Sequence, residues 1–135
     1  MTPCELLICA EDAMVNSYSP YSGFSVGAVL ITADGRVYKG CNIENSAFSP
    51  TICAERTAFF KAISEGENDF EAIAIVGKYK NGEYKHLCYP CGVCRQVMEE
   101  FCGGDFKIIL GDGNGEYEVH TLSELLPGGF DLRKE

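Results

Sequence analysis

The sequence predicts an α/β fold, a three-layer α-β-α sandwich built around a five-stranded mixed sheet. Helical and strand-like patterns alternate along the 135 residues, and the strand-like segments are short and rich in branched apolar side chains. The composition, 46% hydrophobic and 23% charged, is typical of a globular protein. The length suits one compact domain, so residues 1–135 are expected to form a single domain.

The first elements are a helix and a hairpin. Thr2 can cap the helix, Pro3 suits its first position and Glu5 completes a capping box. Strands are predicted at Phe24–Thr32 and Val37–Cys41, because both segments are β-branched and apolar and a turn sequence separates them.

The second half alternates helices with strands. The strand at 71–77 is nearly all apolar, which predicts burial on both faces. A capping box at 121–124 begins a short last helix, which ends at Pro127. Helices are expected at about 51–65 and 92–101, and strands at 71–77, 106–110 and 116–120.

The charge balance narrows the possible partners. Eleven basic residues against 20 acidic ones give a net charge of −9 and a sequence pI near 4.7. A nucleic-acid or anionic-membrane surface needs a basic stripe, so neither partner is expected. The apolar run at 6–10 is flanked by Glu5 and Glu11 and does not fit a secretory leader. We therefore expect a cytoplasmic protein.

Eight cysteines are the unusual feature of the composition. In a secreted protein they would suggest four disulfides, but in a reducing cytoplasm clustered cysteines indicate a metal or catalysis. Outside the clusters, the expectation is that cysteines behave as small buried hydrophobic residues. That expectation applies to Cys4, Cys9, Cys41 and Cys102.

Two cysteine segments carry the metal hypothesis. Cys53 and Cys91 each stand at the predicted start of a helix, where the helix dipole favours the thiolate that binds metal. Cys91 and Cys94 have the spacing that lets one turn supply two sulfurs to a tetrahedral ion. Three protein ligands leave a fourth position for water, which is typical of a catalytic zinc. Glu55 lies two residues beyond Cys53 and could reach that water.

The residues alone leave other interpretations open. The spacing Cys88-x2-Cys91-x2-Cys94 resembles part of an iron–sulfur cluster run, although the expected final Cys-Pro is missing. A structural zinc site could use Cys53, Cys88, Cys91 and Cys94. A third possibility is Cys53 as a thiol nucleophile paired with His86 or His120.

The complete pattern, Cys53-Ala54-Glu55 followed by Pro90-Cys91-Gly92-Val93-Cys94, matches the signature of zinc-dependent base deaminases. The chain resembles the cytidine deaminases of the cytidine and deoxycytidylate deaminase superfamily, in particular the small homotetrameric type with three cysteine ligands. The resemblance extends along most of the chain, through residues 21–28, 40–45, 53–58, 90–96 and 124–130.

The resemblance implies a cytidine deaminase-like catalytic domain with one Zn²⁺ per chain, held by Cys53, Cys91 and Cys94. Glu55 is then the catalytic acid and base. Three thiolates and Zn²⁺ sum to −1, and Arg56 is expected to offset this charge by hydrogen bonding to ligand sulfurs. The alternative for Arg56 is an ion pair with Glu99 or Glu100.

The resemblance also assigns the substrate contacts. Asn42 and Glu44 are expected to bind the sugar, because side chains two apart on an extended segment face the same side. Ala54 is expected to contact the base through its backbone, and Phe24 to lie beside it. Phe130 is expected to reach the base from a neighbouring subunit. Phe48 stands where relatives commonly have tyrosine, and the segment Lys78–Tyr89 is longer than in close relatives.

The predicted reaction is hydrolytic deamination of free cytidine and 2′-deoxycytidine to uridine and 2′-deoxyuridine plus ammonia, as in pyrimidine salvage. The expected assembly is a homotetramer with active sites at subunit interfaces. One alternative is a deaminase of a cytosine-containing antibiotic nucleoside such as blasticidin S. Another is a zinc-binding module without catalysis, which would bind zinc without turnover.

Overall fold

A computed structural model describes residues 1–84 and 87–134, and it contains the predicted order of helices and strands. The helices are α1 (Pro3–Ala13), α2 (Ala54–Ser64), α3 (Gly92–Phe101) and α4 (Leu122–Leu125). The strands are β1 (Phe24–Thr32), β2 (Val37–Cys41), β3 (Phe70–Tyr79), β4 (Lys107–Gly111) and β5 (Tyr117–Thr121). Short 3₁₀ turns cover Met14–Asn16 and Leu132–Lys134.

The five strands form one mixed sheet in the order β2-β1-β3-β4-β5. β3 and β4 pair in parallel and every other neighbouring pair is antiparallel. The parallel pair is joined through α3, as a crossover between parallel strands requires. The predicted five-stranded mixed sheet is confirmed.

Helices cover both faces of this sheet, and the apolar side chains of β3 pack against the helices on each face. Along a strand, successive side chains point to opposite faces. Ala72, Ala74 and Val76 pack in the cluster beneath α1, whereas Ile73 and Ile75 pack with α2 and α3 on the opposite face. All five are buried, so the prediction of a strand covered on both faces is confirmed.

Several predicted boundaries are wrong by one to three residues. α2 begins at Ala54 rather than Thr51, because Cys53 has an extended backbone (φ −78°, ψ 155°) and occupies the capping position. β3 extends beyond the predicted 71–77 at both ends, since its final residues pair with the start of β1. β4 and β5 each lie one residue later than predicted.

The expectation for the isolated cysteines holds only in part. Cys102 is buried, but Cys4 is exposed and Cys9 and Cys41 are half-buried. The reason is that Cys4 lies in the first turn of α1, where only one stripe of the helix faces the sheet.

Within the described residues, no helix combines the length and the apolar character that crossing a bilayer would require.

Candidate metal centre and substrate cavity

The N-termini of α2 and α3 meet at the proposed metal centre. Cys53 is the capping residue of α2 and Cys91 that of α3, and both have extended backbones. Cys94 lies in the first turn of α3 and is buried. Its backbone N–H donates to the Cys91 sulfur at 3.4 Å. The sulfurs therefore lie where two helices begin, and the helix dipoles there favour a thiolate.

The three sulfurs have a spacing that suits one ion. The Sγ atoms of Cys53 and Cys91 are 3.8 Å apart and those of Cys91 and Cys94 are 3.3 Å apart, and all three atoms lie within 4.8 Å of one another. Tetrahedral zinc with Zn–S bonds of about 2.3 Å places its sulfurs roughly 3.8 Å apart. The three sulfur donors and their spacing therefore fit zinc, which is the cofactor that the sequence predicts.

Arg56 lies against this cluster. Its Nη2 donates to the Cys53 sulfur at 3.4 Å, as the resemblance implied. Hydrogen bonds from the Cys94 thiol and from Arg56 lower the pKa of Cys53. The Nε atom of Arg56 is buried and has no hydrogen-bond partner among the described residues. Glu100, one of the alternative partners considered for Arg56, instead lies 3.2 Å from Arg133.

Glu55 is a buried carboxyl beside the sulfurs. It is only 4% exposed, although it belongs to the first turn of a helix, where acidic residues usually face solvent. Burial raises the pKa of Glu55 to about 7, and negative charge on Cys53 adds to the shift. A carboxyl with this pKa exchanges a proton readily near neutral pH, which is what a general acid and base requires.

A cavity of about 290 Å³ opens beside Glu55. It lies at the small end of ligand pockets, which are about 300–1,000 Å³, so it suits a single small molecule. Of the predicted site residues, the cavity is lined by Cys53, Cys91, Glu55, Ala54, Phe24, Asn42 and Glu44. It is also lined by residues that the sequence did not single out for substrate, namely Ser22, Val26, Thr51, Ile52, Cys88 and Tyr89.

Asn42 and Glu44 lie on one side of an extended segment at the cavity. Ile43 between them pairs with both Tyr18 and Ile52, which keeps the segment extended. The Asn42 amide donates to the Phe24 carbonyl and accepts the Val26 N–H, each at 2.9 Å. It also accepts the Ser17 hydroxyl. These bonds fix the amide and leave one of its two N–H hydrogens for a ligand within the described surroundings.

Phe24 lines the cavity with its ring lying over Gly77 of β3, the glycine that pairs with Val26 in the neighbouring strand. A Cβ at Gly77 would lie 2.3 Å from the Cζ atom of Phe24, so the ring occupies the space that a side chain at Gly77 would fill. The same ring packs on Tyr79, with centroids 4.7 Å apart. Phe24 was predicted from the sequence to lie beside the base, but nothing in the sequence indicated that Gly77 makes room for its ring.

Other predicted residues lie apart from the cavity wall. Phe130 is 60% exposed and does not line the cavity of its own chain, and Phe48 is 92% exposed. His120 contacts Glu118 on β5, with Nε2 and Oε1 2.9 Å apart. His86, the other histidine considered as a partner of Cys53, lies outside the described residues.

Cys88 is buried and lines the cavity but is not a member of the sulfur cluster that the described residues form. The adjacency of Cys88 to Cys91 in sequence suggested a fourth ligand. Only the tertiary structure shows that the Cys88 sulfur lies outside the cluster of Cys53, Cys91 and Cys94. A cysteine four residues before the start of α3 gives no signal in the sequence that could have distinguished these possibilities.

Fold and site together define a class of protein: an α/β protein with three clustered cysteine sulfurs that could hold a metal ion, beside a small cavity and a buried carboxyl. The family model described as "Cytidine and deoxycytidylate deaminase zinc-binding region" matches residues 2–110. The chain belongs to this family, and the resemblance inferred from its motifs is confirmed.

Relatives and solved structures agree with this assignment. A cytidine deaminase of Sporosarcina psychrophila is 48% identical over 126 residues, covering 93% of this chain and 89% of its own length. One from Halalkalibacterium halodurans is 50% identical over 121 residues, covering 90% and 88% respectively. The crystal structure of cytidine deaminase from Burkholderia pseudomallei superposes with a TM-score of 0.87 at 42% identity, covering 96% of this chain and all of that one.

Proposed function

We propose that this protein is a zinc-dependent cytidine deaminase that converts free cytidine and 2′-deoxycytidine, with water, to uridine and 2′-deoxyuridine plus ammonia. The observation that carries the proposal is the position of Glu55, which is buried beside three clustered cysteine sulfurs and lines a cavity that Asn42 and Glu44 also line. The relatives named above are cytidine deaminases, which supports the same reaction.

The residues around the cavity take distinct roles. Cys53, Cys91 and Cys94 would hold the zinc ion. Zinc bound there supplies a Lewis acid that lowers the pKa of a water ligand from 15.7 to about 7. Arg56 donates to the Cys53 sulfur and so offsets part of the negative charge of three thiolates.

Glu55 moves the protons of the reaction. It accepts a proton from the water as the oxygen adds to C4 of the cytosine ring, and it passes that proton to ring N3. The same carboxyl then transfers the remaining proton of the added hydroxyl to the departing amino group, which leaves as ammonia while the C4 carbonyl forms. One carboxyl can serve both steps because its pKa of about 7 makes both protonation states accessible.

The rest of the cavity orients the nucleoside. Phe24 offers an apolar ring to the base, and the Ala54 backbone lies at the start of α2 beside the base position. Asn42 and Glu44 face the cavity with one amide hydrogen and carboxylate oxygens, which suit the hydroxyl groups of the sugar. The small cavity volume favours a free nucleoside over a polymer.

We also propose a homotetramer with active sites at subunit interfaces. Phe130 and Phe48 are exposed aromatic side chains, and such residues are enriched at interfaces. A neighbouring subunit could supply Phe130 to this cavity. Sizing by light scattering tests the assembly, and a monomer with full activity would contradict it.

A cytoplasmic location is proposed as well, because a reducing compartment keeps the three thiols available to metal.

The experiment that tests the function combines two measurements on purified protein. Loss of cytosine ultraviolet absorbance, with chromatographic identification of uridine, reports turnover, and elemental analysis reports metal. We expect about one zinc per chain and release of ammonia equal to the uridine formed. Zinc at that ratio with cytidine unchanged would reject the enzyme and leave the zinc-binding module.

A further inference from the structure

Glu44 is held in place by the turn that precedes β1. Its Oε1 accepts the backbone N–H groups of Tyr21 at 2.9 Å and Ser22 at 3.1 Å. Its Oε2 accepts the Ser22 hydroxyl. Three donors from two consecutive residues therefore contact one carboxylate that lines the cavity.

The Ser22 hydroxyl is itself oriented toward Glu44. The Phe24 N–H donates to the Ser22 oxygen at 3.0 Å, so the oxygen is occupied as an acceptor on that side. The competing acceptor for the hydroxyl proton, the Phe24 carbonyl, lies at 3.4 Å, a longer distance than a strong O–H···O bond. The proton is therefore directed to the carboxylate, where a charged acceptor makes the stronger bond.

These contacts hold the Glu44 carboxylate in place and still leave it able to accept a further hydrogen bond. An ionised carboxylate has about four acceptor positions, and the turn uses three, so a sugar hydroxyl can still donate to Glu44. The Ser22 hydroxyl is the main cause of the lowered pKa of Glu44, and the positive charge of Lys80 adds to it. A side chain that is already ordered and ionised loses less conformational freedom when ligand binds.

We propose that Ser22 is a positioning residue for sugar recognition, whose hydroxyl holds the Glu44 carboxylate in the geometry that accepts a ribose hydroxyl. Ser22 acts through Glu44 and takes no part in the proton transfers at the base. The inference rests on the proposed function, because it assumes that a nucleoside occupies the cavity with its sugar toward Glu44.

The first test compares two substrates in wild type and Ser22→Ala. Cytidine has the 2′ and 3′ hydroxyls and 2′,3′-dideoxycytidine has neither. We expect Ser22→Ala to raise KM for cytidine about tenfold, the effect of losing one hydrogen bond to a charged group, with kcat nearly unchanged. The kcat/KM for the dideoxy substrate should stay within about twofold of wild type. Ser22→Thr keeps the hydroxyl and should restore most of the cytidine KM.

The second test is a double-mutant cycle with Glu44→Ala. If Ser22 acts through Glu44, the double variant should have the same kcat/KM for cytidine as Glu44→Ala alone, because the serine has no carboxylate left to hold. Ser64→Ala serves as the matched control, since that exposed serine bonds only the Lys61 carbonyl at the far end of α2 among the hydrogen bonds described.

Three results would overturn the inference. They are an equal loss of activity on both substrates, additive losses in the cycle, and an unchanged cytidine KM in Ser22→Ala. The first would indicate a general structural role and the second a direct contact with substrate. Wild type that leaves cytidine unchanged would instead reject the proposed function, so the two failures are distinguishable.

Discussion

Gly40 of β2 lies in direct contact with the backbone of Ala54, the first residue of α2. A Cβ at Gly40 would come within 2.4 Å of the Ala54 carbonyl oxygen and 2.6 Å of the Ala58 nitrogen. The missing side chain therefore sets how closely the first turn of α2 approaches the sheet. Cys53 and Glu55 flank Ala54, so this approach also sets the position of the proposed metal ligand and the proposed proton-transfer carboxyl.

Gly40→Ala is expected to displace the start of α2. Overpacking of this kind costs about 1–3 kcal/mol of folding free energy, and here it should also weaken zinc retention, because Cys53 moves with the helix. Urea unfolding and zinc release to a chelator measure the two effects. Gly104→Ala is the control, since its Cβ would meet the nearest described atom at an ordinary 3.4 Å. Equal stability and zinc release in Gly40→Ala and Gly104→Ala would contradict the prediction.

Glu55→Gln is expected to keep the shape of the site but lose the proton-transfer group. Turnover of cytidine should fall by at least about 10²-fold, the usual contribution of general acid and base catalysis, while zinc content remains near that of wild type. Steady-state kinetics and elemental analysis check the two parts. Glu65→Gln, at the exposed C-terminal end of the same helix, provides the control. Near-normal turnover in Glu55→Gln would remove this residue from the mechanism.

Arg56→Gln is expected to weaken zinc binding, because the guanidinium that donates to the Cys53 sulfur is lost. Groups that bond metal ligands typically contribute about 10–100-fold to metal affinity or activity. The measurement is the rate of zinc transfer to a chromogenic chelator. Arg36→Gln removes an equal charge from an exposed pair with Asp34 and should release zinc like wild type. Unchanged release from Arg56→Gln would show that its contact with sulfur has no effect on the metal.

The proposed contact between Glu44 and the sugar predicts how ligand binding depends on pH. The Ser22 hydroxyl and neighbouring N–H groups lower the pKa of this carboxyl below its ordinary 4.5. Glu44 is therefore ionised above about pH 5.5, and its acceptor capacity is lost only as the pH falls through the lowered pKa. The inhibition constant of 2′,3′-dideoxyuridine divided by that of uridine isolates the hydroxyl contacts from the titration of Glu55.

We expect that ratio to stay constant from about pH 5.5 to 8. In Glu44→Gln the ratio should be closer to one and equally independent of pH, since no carboxyl remains to titrate. A ratio in wild type that falls severalfold between pH 7 and 5.5 would show that Glu44 gains its proton in that range, against the prediction.

The sequence by itself determined the metal chemistry and the order of elements. Cys53, Glu55, Cys91 and Cys94 are recognisable because ligand spacing on a helix start is a local property of the chain. The nearly continuous apolar run of β3 likewise predicted a strand buried on both faces. Helix and strand ends were less accurate, since capping at Cys53 and strand pairing at the end of β3 depend on neighbours that are distant in sequence.

Only the tertiary structure decided which side chains share a cavity. Cys88 is three residues from Cys91, yet the fold leaves it outside the sulfur cluster. Ser22 is 22 residues from Glu44, yet the fold places its hydroxyl on that carboxylate. The need for a glycine at position 40 is evident only when α2 packs against β2 and leaves no space for a side chain there. The physical reason is that spacing along one element fixes local geometry, whereas contacts between elements arise from the packing of the whole chain.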